Sequence, residues 1–184
     1  MRQRARAMRN TVPEGARQAR SAQIVERVVA STAFERARAV ALFCPMVDRG
    51  EVDVRPLDEA ARRMGKTVAY PFLENDTEMT LRTADLASLE ERGHGFAEPP
   101  EGAPPIAASD ELVVIVPALA VDPTGHRIGY GKGFYDRLLT DICPPAIAIA
   151  VAYDFEVVPE VPATEHDHRV DMVVTDARSW QFAR

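Results

Sequence analysis

The amino-acid sequence predicts an α/β protein: a single domain of three layers, α/β/α, around a mostly parallel central sheet. Three observations carry this expectation. Short apolar runs at 39–44 and 67–70 flank a helical stretch at 53–64. A stronger apolar run at 112–116 is followed by a glycine-rich loop, a helical stretch to about Thr140 and another apolar run at 146–151. Strand–helix–strand units with connections this short make parallel sheets with right-handed crossovers. The third observation is length: 184 residues suit one domain and suffice to bury a core without metal or disulfide staples.

Taken in order, residues 1–38 read as a basic helical N-terminus. Ala19, Ala22, Val25, Val28 and Val29 keep an apolar stripe at helical steps. Thr11 stands three residues before Glu14 with Pro13 between them, the pattern of a capping box, so a break near Thr11 is expected to separate a short helix from a longer one. The strand at 39–44 is expected to stop at Pro45, the helix at 53–64 to close at Gly65, and the strand at 67–70 to stop at Pro71. Residues 79–83 alternate with period two and predict an antiparallel or edge strand. The Pro-rich stretch 93–108 excludes regular structure and serves as a spacer or a binding-site wall. A last strand is expected at 172–175. Ligands of such sheets sit beyond the carboxyl ends of the strands, where the glycine loop follows 112–116.

Hydrophobic residues make up 46% and charged residues 27% of the chain, as in ordinary globular proteins. No apolar run is long enough to span a bilayer, and the N-terminus lacks the apolar core of a secretory signal. The two cysteines, Cys44 and Cys143, have no paired spacing and predict neither disulfides nor a zinc site. A cytoplasmic monomer is expected, with no membrane partner. The net charge of -6 conceals nine arginines against three glutamates in residues 1–38. That segment is either a solvated helix face or a contact for an anion. It lacks the interleaved aromatics that stack on bases, so no nucleic-acid partner is expected.

The chemistry concentrates in Gly125-His-Arg-Ile-Gly-Tyr-Gly-Lys-Gly-Phe-Tyr-Asp136. Alternating glycines let backbone N–H groups approach an anion closely. A helix beginning near Gly133 adds unpaired N–H groups and its positive dipole end. Arg127 offers a planar fork and Lys132 a mobile point charge. The loop, 125–136, therefore predicts a triphosphate site. It is not a P-loop, because Gly131-Lys132 lacks the glycine five residues earlier and the following Ser or Thr. It is not the dinucleotide fingerprint either, whose third glycine would fall on Phe134 or Asp136. Asp136 either complements the helix dipole or holds magnesium against phosphate oxygens. The cluster Glu165-His-Asp-His-Arg-Val-Asp171 reads as a polar loop before a strand; zinc lacks a third soft ligand there.

At these residues the chain resembles the 5-formyltetrahydrofolate cyclo-ligase family, also called methenyltetrahydrofolate synthetase. The motif from Val116 to Arg137 carries the likeness. Gly50-Glu-Val-Asp53, Gly95-Phe-Ala-Glu-Pro99 and the 165–171 cluster lie in the family's order. The resemblance implies an ATP- and Mg2+-dependent ring closure of 5-formyltetrahydrofolate to 5,10-methenyltetrahydrofolate, releasing ADP and phosphate. It further implies ATP contacts from Arg127, Ile128, Gly129, Tyr130, Gly131, Lys132, Gly133, Phe134 and Tyr135. Met46, Glu51, Tyr130, Gly131, Lys132, Gly133 and Phe134 would meet the reduced folate, with or without a polyglutamate tail. Asp136 and Asp167 would hold magnesium, and Lys132 with Arg127 would carry the phosphoryl chemistry.

Three departures accompany the likeness. Val54 stands where the family usually has Thr, and Ala118 where it usually has Gly. The family's Lys-x-x-x-Arg contact to ATP on the first helix aligns ahead of and onto Met1. Arg2, Arg4 and Arg6 are the candidates to replace it.

Overall fold

The computed structural model describes residues 1–93 and 95–183. Its chain order begins α1 (Arg2–Thr11), α2 (Glu14–Val29), α3 (Thr32–Arg36), β1 (Ala39–Ala41), α4 (Arg55–Arg63), β2 (Thr67–Leu73) and β3 (Met79–Thr83). It continues through β4 (Glu90–Glu91), β5 (Ala97–Glu98), β6 (Leu112–Pro117), β7 (Ala120–Val121) and β8 (Arg127–Ile128). Then come α5 (Phe134–Ile142), β9 (Ile147–Val151), β10 (Met172–Val174) and β11 (Ser179–Gln181).

Seven strands form one sheet in the order β11-β10-β9-β6-β1-β2-β3. The five inner strands are mutually parallel, and β3 and β11 close the edges antiparallel. The inner strands are apolar along nearly their whole length because both faces are covered. Period-two alternation sorts their side chains. Val40, Val113, Ile115 and Ile149 pack with Ile24 and Val28 of α2, Phe34 of α3 and Leu57 and Ala61 of α4. Ala41, Val114, Val116 and Ala148 face the other way, onto Leu138 and Leu139 of α5. Helices on both faces make the three-layer α/β/α sandwich that the sequence predicts.

Several expected boundaries move. The break after Thr11 is present, but the capping box is not: α2 starts at Pro13 with no side-chain cap, and Thr11 donates back to the Met8 carbonyl instead. Pro71 does not stop its strand. β1 ends at Ala41 opposite Ala69, so beyond that point Pro71 removes no ladder bond on the β1 side. The strand expected at 39–44 keeps regular pairing only through Ala41. Among the described residues of 93–108, β5 pairs with β4 and Pro105 makes an isolated bridge to Arg82, and the rest are irregular. The strand at 172–174 is followed by β11, so it is not the last. The α3 helix, capped by Ser31, and the short hairpin β7–β8 were not expected from the apolar pattern.

The helix α5 shows how sequence sets the site's frame. Phe134, Leu138 and Ile142 recur at four-residue steps, and Asp136 lies in the first turn. Burial of Leu138 and Leu139 contributes about 1.5–3 kcal/mol each. Among the described residues, no helix is long and apolar enough to cross a membrane.

Candidate active site

A cavity of about 870 Å³ opens at the carboxyl ends of the parallel strands. Phe43 and Cys44 follow β1, Pro71 lies in β2, and Pro117 ends β6; all four line it. The whole segment 127–136 forms one wall. Met46, Glu51 and Asp167 line it as well. Every site residue expected from the sequence is therefore brought to one chamber.

The glycine loop has the backbone its composition demands. Gly131 and Gly133 take φ of 101 and 68, a region that side-chain-bearing residues rarely adopt. Gly133 is the N-cap of α5, and no side chain caps that helix. The open N–H groups of the first turn thus stand beside the cavity. Lys132 is exposed, with the Phe134 ring 5.9 Å from its ammonium.

Arg127 and Asp136, read separately in the sequence, form one unit. Arg127 Nη2 donates to Asp136 Oδ1 at 2.8 Å, and Nη1 donates to the His168 carbonyl at 2.6 Å. The guanidinium is buried, which pushes its pKa down against the pull of Asp136. Two of its five N–H donors are thereby engaged. Asp136 Oδ1 also accepts the His168 N–H at 3.2 Å.

Asp167 Oδ2 accepts both the N–H and the hydroxyl of Thr164. The Thr164 N–H holds its carboxyl below the ordinary range. Among the described residues, Asp136 Oδ2 and Asp167 Oδ1 have no hydrogen-bond partner. No cluster of three or more His, Cys, Asp or Glu ligands occurs among the described residues. Two carboxylates in a phosphate-sized chamber fit magnesium, which takes its remaining ligands from phosphate and water.

Glu51 is buried, and one of its oxygens accepts the Met46 N–H at 2.7 Å. Burial pushes its carboxyl pKa up. The Tyr130 hydroxyl is buried beside it. The pair is close enough to raise the Tyr130 pKa, mainly through burial and then through Glu51, but the hydroxyl makes no bond of good geometry. A buried polar group left idle is rare, and the Tyr130 hydroxyl, with Glu51 beside it, suits the polar edge of a ligand.

Residues from the first helix complete the site. Arg2 and Arg6 line the cavity; Arg4 does not. Arg2 Nε donates to the Gly129 carbonyl at 3.0 Å, and the Arg6 guanidinium sits 4.9 Å from the Tyr130 ring centre. Their four-residue spacing puts both on one face of α1. Arg9, on the same helix, anchors it: Nε donates to Glu156 Oε1 at 2.6 Å and Nη2 to the Ala118 carbonyl at 2.7 Å, all buried. Arg49, Met79 and Phe96 also line the cavity without having been singled out in the sequence. Phe96 brings the Pro-rich stretch to the chamber, so that stretch is wall as well as spacer.

The 5-formyltetrahydrofolate cyclo-ligase family matches residues 1–176. The chain belongs to the 5-formyltetrahydrofolate cyclo-ligase family. Among the family's relatives, the 5-formyltetrahydrofolate cyclo-ligase of Escherichia coli K12 is 30% identical over 99% of this chain and 100% of its own. That of Mycolicibacterium smegmatis is 45% identical over a shorter stretch, 46% of this chain and 44% of its own. Among solved structures, the 5,10-methenyltetrahydrofolate synthetase of Aquifex aeolicus superposes with a TM-score of 0.82 at 30% identity. That superposition covers 98% of this chain and 90% of the other. The cyclo-ligase enzyme class expected from the sequence is the one these comparisons give.

Proposed function

We propose that the protein closes 5-formyltetrahydrofolate to 5,10-methenyltetrahydrofolate, using ATP as phosphoryl donor with Mg2+ and releasing ADP and phosphate. One observation carries this reading. A single chamber joins a cationic glycine loop to a buried carboxylate, Glu51. The first suits a triphosphate and the second the donor-rich edge of a pterin.

The chemistry divides in two steps. The formyl oxygen attacks the terminal phosphorus and ADP leaves. Nitrogen 10 then attacks the activated formyl carbon, and inorganic phosphate departs as the ring closes, taking up the proton that nitrogen 10 loses. Phosphoryl transfer asks chiefly for positioning and neutralisation of charge. Lys132, the N-terminus of α5 and the face of α1 with Arg2 and Arg6 supply positive charge around the phosphates. Arg127 keeps the Asp136 carboxylate oriented. Asp136 and Asp167 would hold Mg2+, which when bound neutralises phosphate charge. Glu51, with the Met46 backbone fixing one oxygen, accepts N–H groups of the pterin and aligns the formyl group. The walls from Phe43, Phe96 and Met79 keep water from the activated carbon.

The test mixes purified protein with 5-formyltetrahydrofolate, ATP and Mg2+, and follows the methenyl chromophore. Growth of the chromophore in step with ADP, and its loss when ATP is omitted, is the expected result. A folded protein giving neither product would refute the proposal.

A further inference from the structure

A glycine loop cradles an anion only when its N–H groups face the ligand and its carbonyls face away. Glycines make that orientation easy to lose. Gly133 can take either sign of φ, so the peptide joining Lys132 to Gly133 can flip at little steric cost. A flip would aim the Lys132 carbonyl oxygen toward the phosphates. Something outside the loop must hold it.

The structure assigns that task to Arg137, in the second turn of α5. Its Nη2 donates to the Lys132 carbonyl at 3.0 Å. Its Nε donates to the Thr77 carbonyl at 2.6 Å, in the turn between β2 and β3. Its guanidinium also lies 5.3 Å from the Phe134 ring centre. Neither Arg137 nor Thr77 lines the cavity, whereas the loop they grip does. The guanidinium therefore sits behind the loop, and the carbonyl it holds is turned from the chamber. Gly133 is also what admits it, because a Cβ there would meet Arg137 Nη1 at 2.9 Å. Among the described residues, no carboxylate pairs with Arg137, so its donors serve backbone carbonyls. Arg137 is a positioning residue: it acts on the substrate through the loop and does not touch it.

This inference rests on the reading that the loop takes ATP phosphates, and the test separates the two. Calorimetry measures binding of a non-hydrolysable ATP analogue and of 5-formyltetrahydrofolate to the parent, Arg137→Ala and Arg137→Lys. Analogue binding to Arg137→Ala is expected to weaken about tenfold, the scale of one charged hydrogen bond, and folate affinity to fall less, because Met46 and Glu51 lie outside the loop. Arg137→Lys, which keeps the charge but reaches one carbonyl, should fall between the two and serves if the alanine variant fails to fold. Hydrogen exchange at residues 131–134, without ligand, should be faster in both variants.

A parent protein that does not bind the analogue would sink the ATP reading, and the exchange data would still judge the clamp. Unchanged loop exchange overturns it. So does unchanged analogue affinity in a variant whose only defect is a lower Tm, since that is the signature of a mere staple between α5 and the β2–β3 turn.

Discussion

Replacing Lys132 by alanine separates chemistry from folding more cleanly than any other single change in this chain. The side chain is exposed, and among the described residues it lies over the Phe134 ring, 5.9 Å from its centre. An exposed cation–ring contact is worth about 0.5–1 kcal/mol. In a chain of this size that shifts Tm by no more than about 2–4 °C. The loss at the reacting phosphate is larger. Two unit charges about 4 Å apart interact by about 4 kcal/mol at an effective dielectric of 20. Removing one donor to a transition-state oxyanion costs a comparable amount, about 2.7–4 kcal/mol. Turnover of Lys132→Ala is therefore expected to fall about 100- to 1,000-fold. The assay is the initial rate of methenyl formation at saturating ATP and folate, paired with thermal melting. A variant that melts like the parent and turns over within about threefold of it would refute the role of Lys132.

Three further outcomes are expected. Asp136→Asn should raise the Mg2+ concentration for half-maximal rate about tenfold and lower stability by about 1–3 kcal/mol. It leaves buried Arg127 without its counter-charge; Mg2+ titration and melting check both, and an unchanged Mg2+ profile counts against ligation. Arg2→Ala with Arg6→Ala should raise the ATP KM about tenfold or more with a smaller effect on folate KM, and lower Tm by only a few degrees (about 2–4 °C per kcal/mol lost), because both side chains are exposed on α1. Glu51→Gln should weaken folate binding while stabilising the protein at high pH. Burial raises the Glu51 pKa in the folded state, so the parent's penalty is absent below the ordinary carboxylate range. It accrues as pH rises from the ordinary carboxylate value to the raised one and is complete above the latter. The Tm gain of the variant should thus grow with pH across that window and level off above it, and a gain that falls with pH or is already full below the window would contradict the burial argument.

The fold was legible in the sequence because strand apolarity is dictated by burial on both faces. The runs at 112–116 and 146–151 read as strands of one crossover unit, and the structure pairs them side by side within the sheet. Boundaries were less legible. The effect of Pro71 depends on whether a neighbouring strand needs its missing N–H, and that is a matter of pairing, not of local preference. The glycine loop was also legible, since its glycines, Arg127 and Lys132 are contiguous. Glu51 and Met46 were reached only through family resemblance; a loop glutamate carries no signal of its later burial.

The sequence by itself determined the layered α/β architecture and the anion-binding character of residues 125–136, because both follow from local composition and period. Only the tertiary structure decided which cations join that loop. Arg2 meets Gly129 across 127 positions of chain, and Arg9 meets Glu156 across 147. It also decided that Arg127 spends part of its fork on Asp136, and that Arg137 reaches the Lys132 carbonyl. Charges far apart in sequence find their partners through packing, and no local pattern encodes that choice.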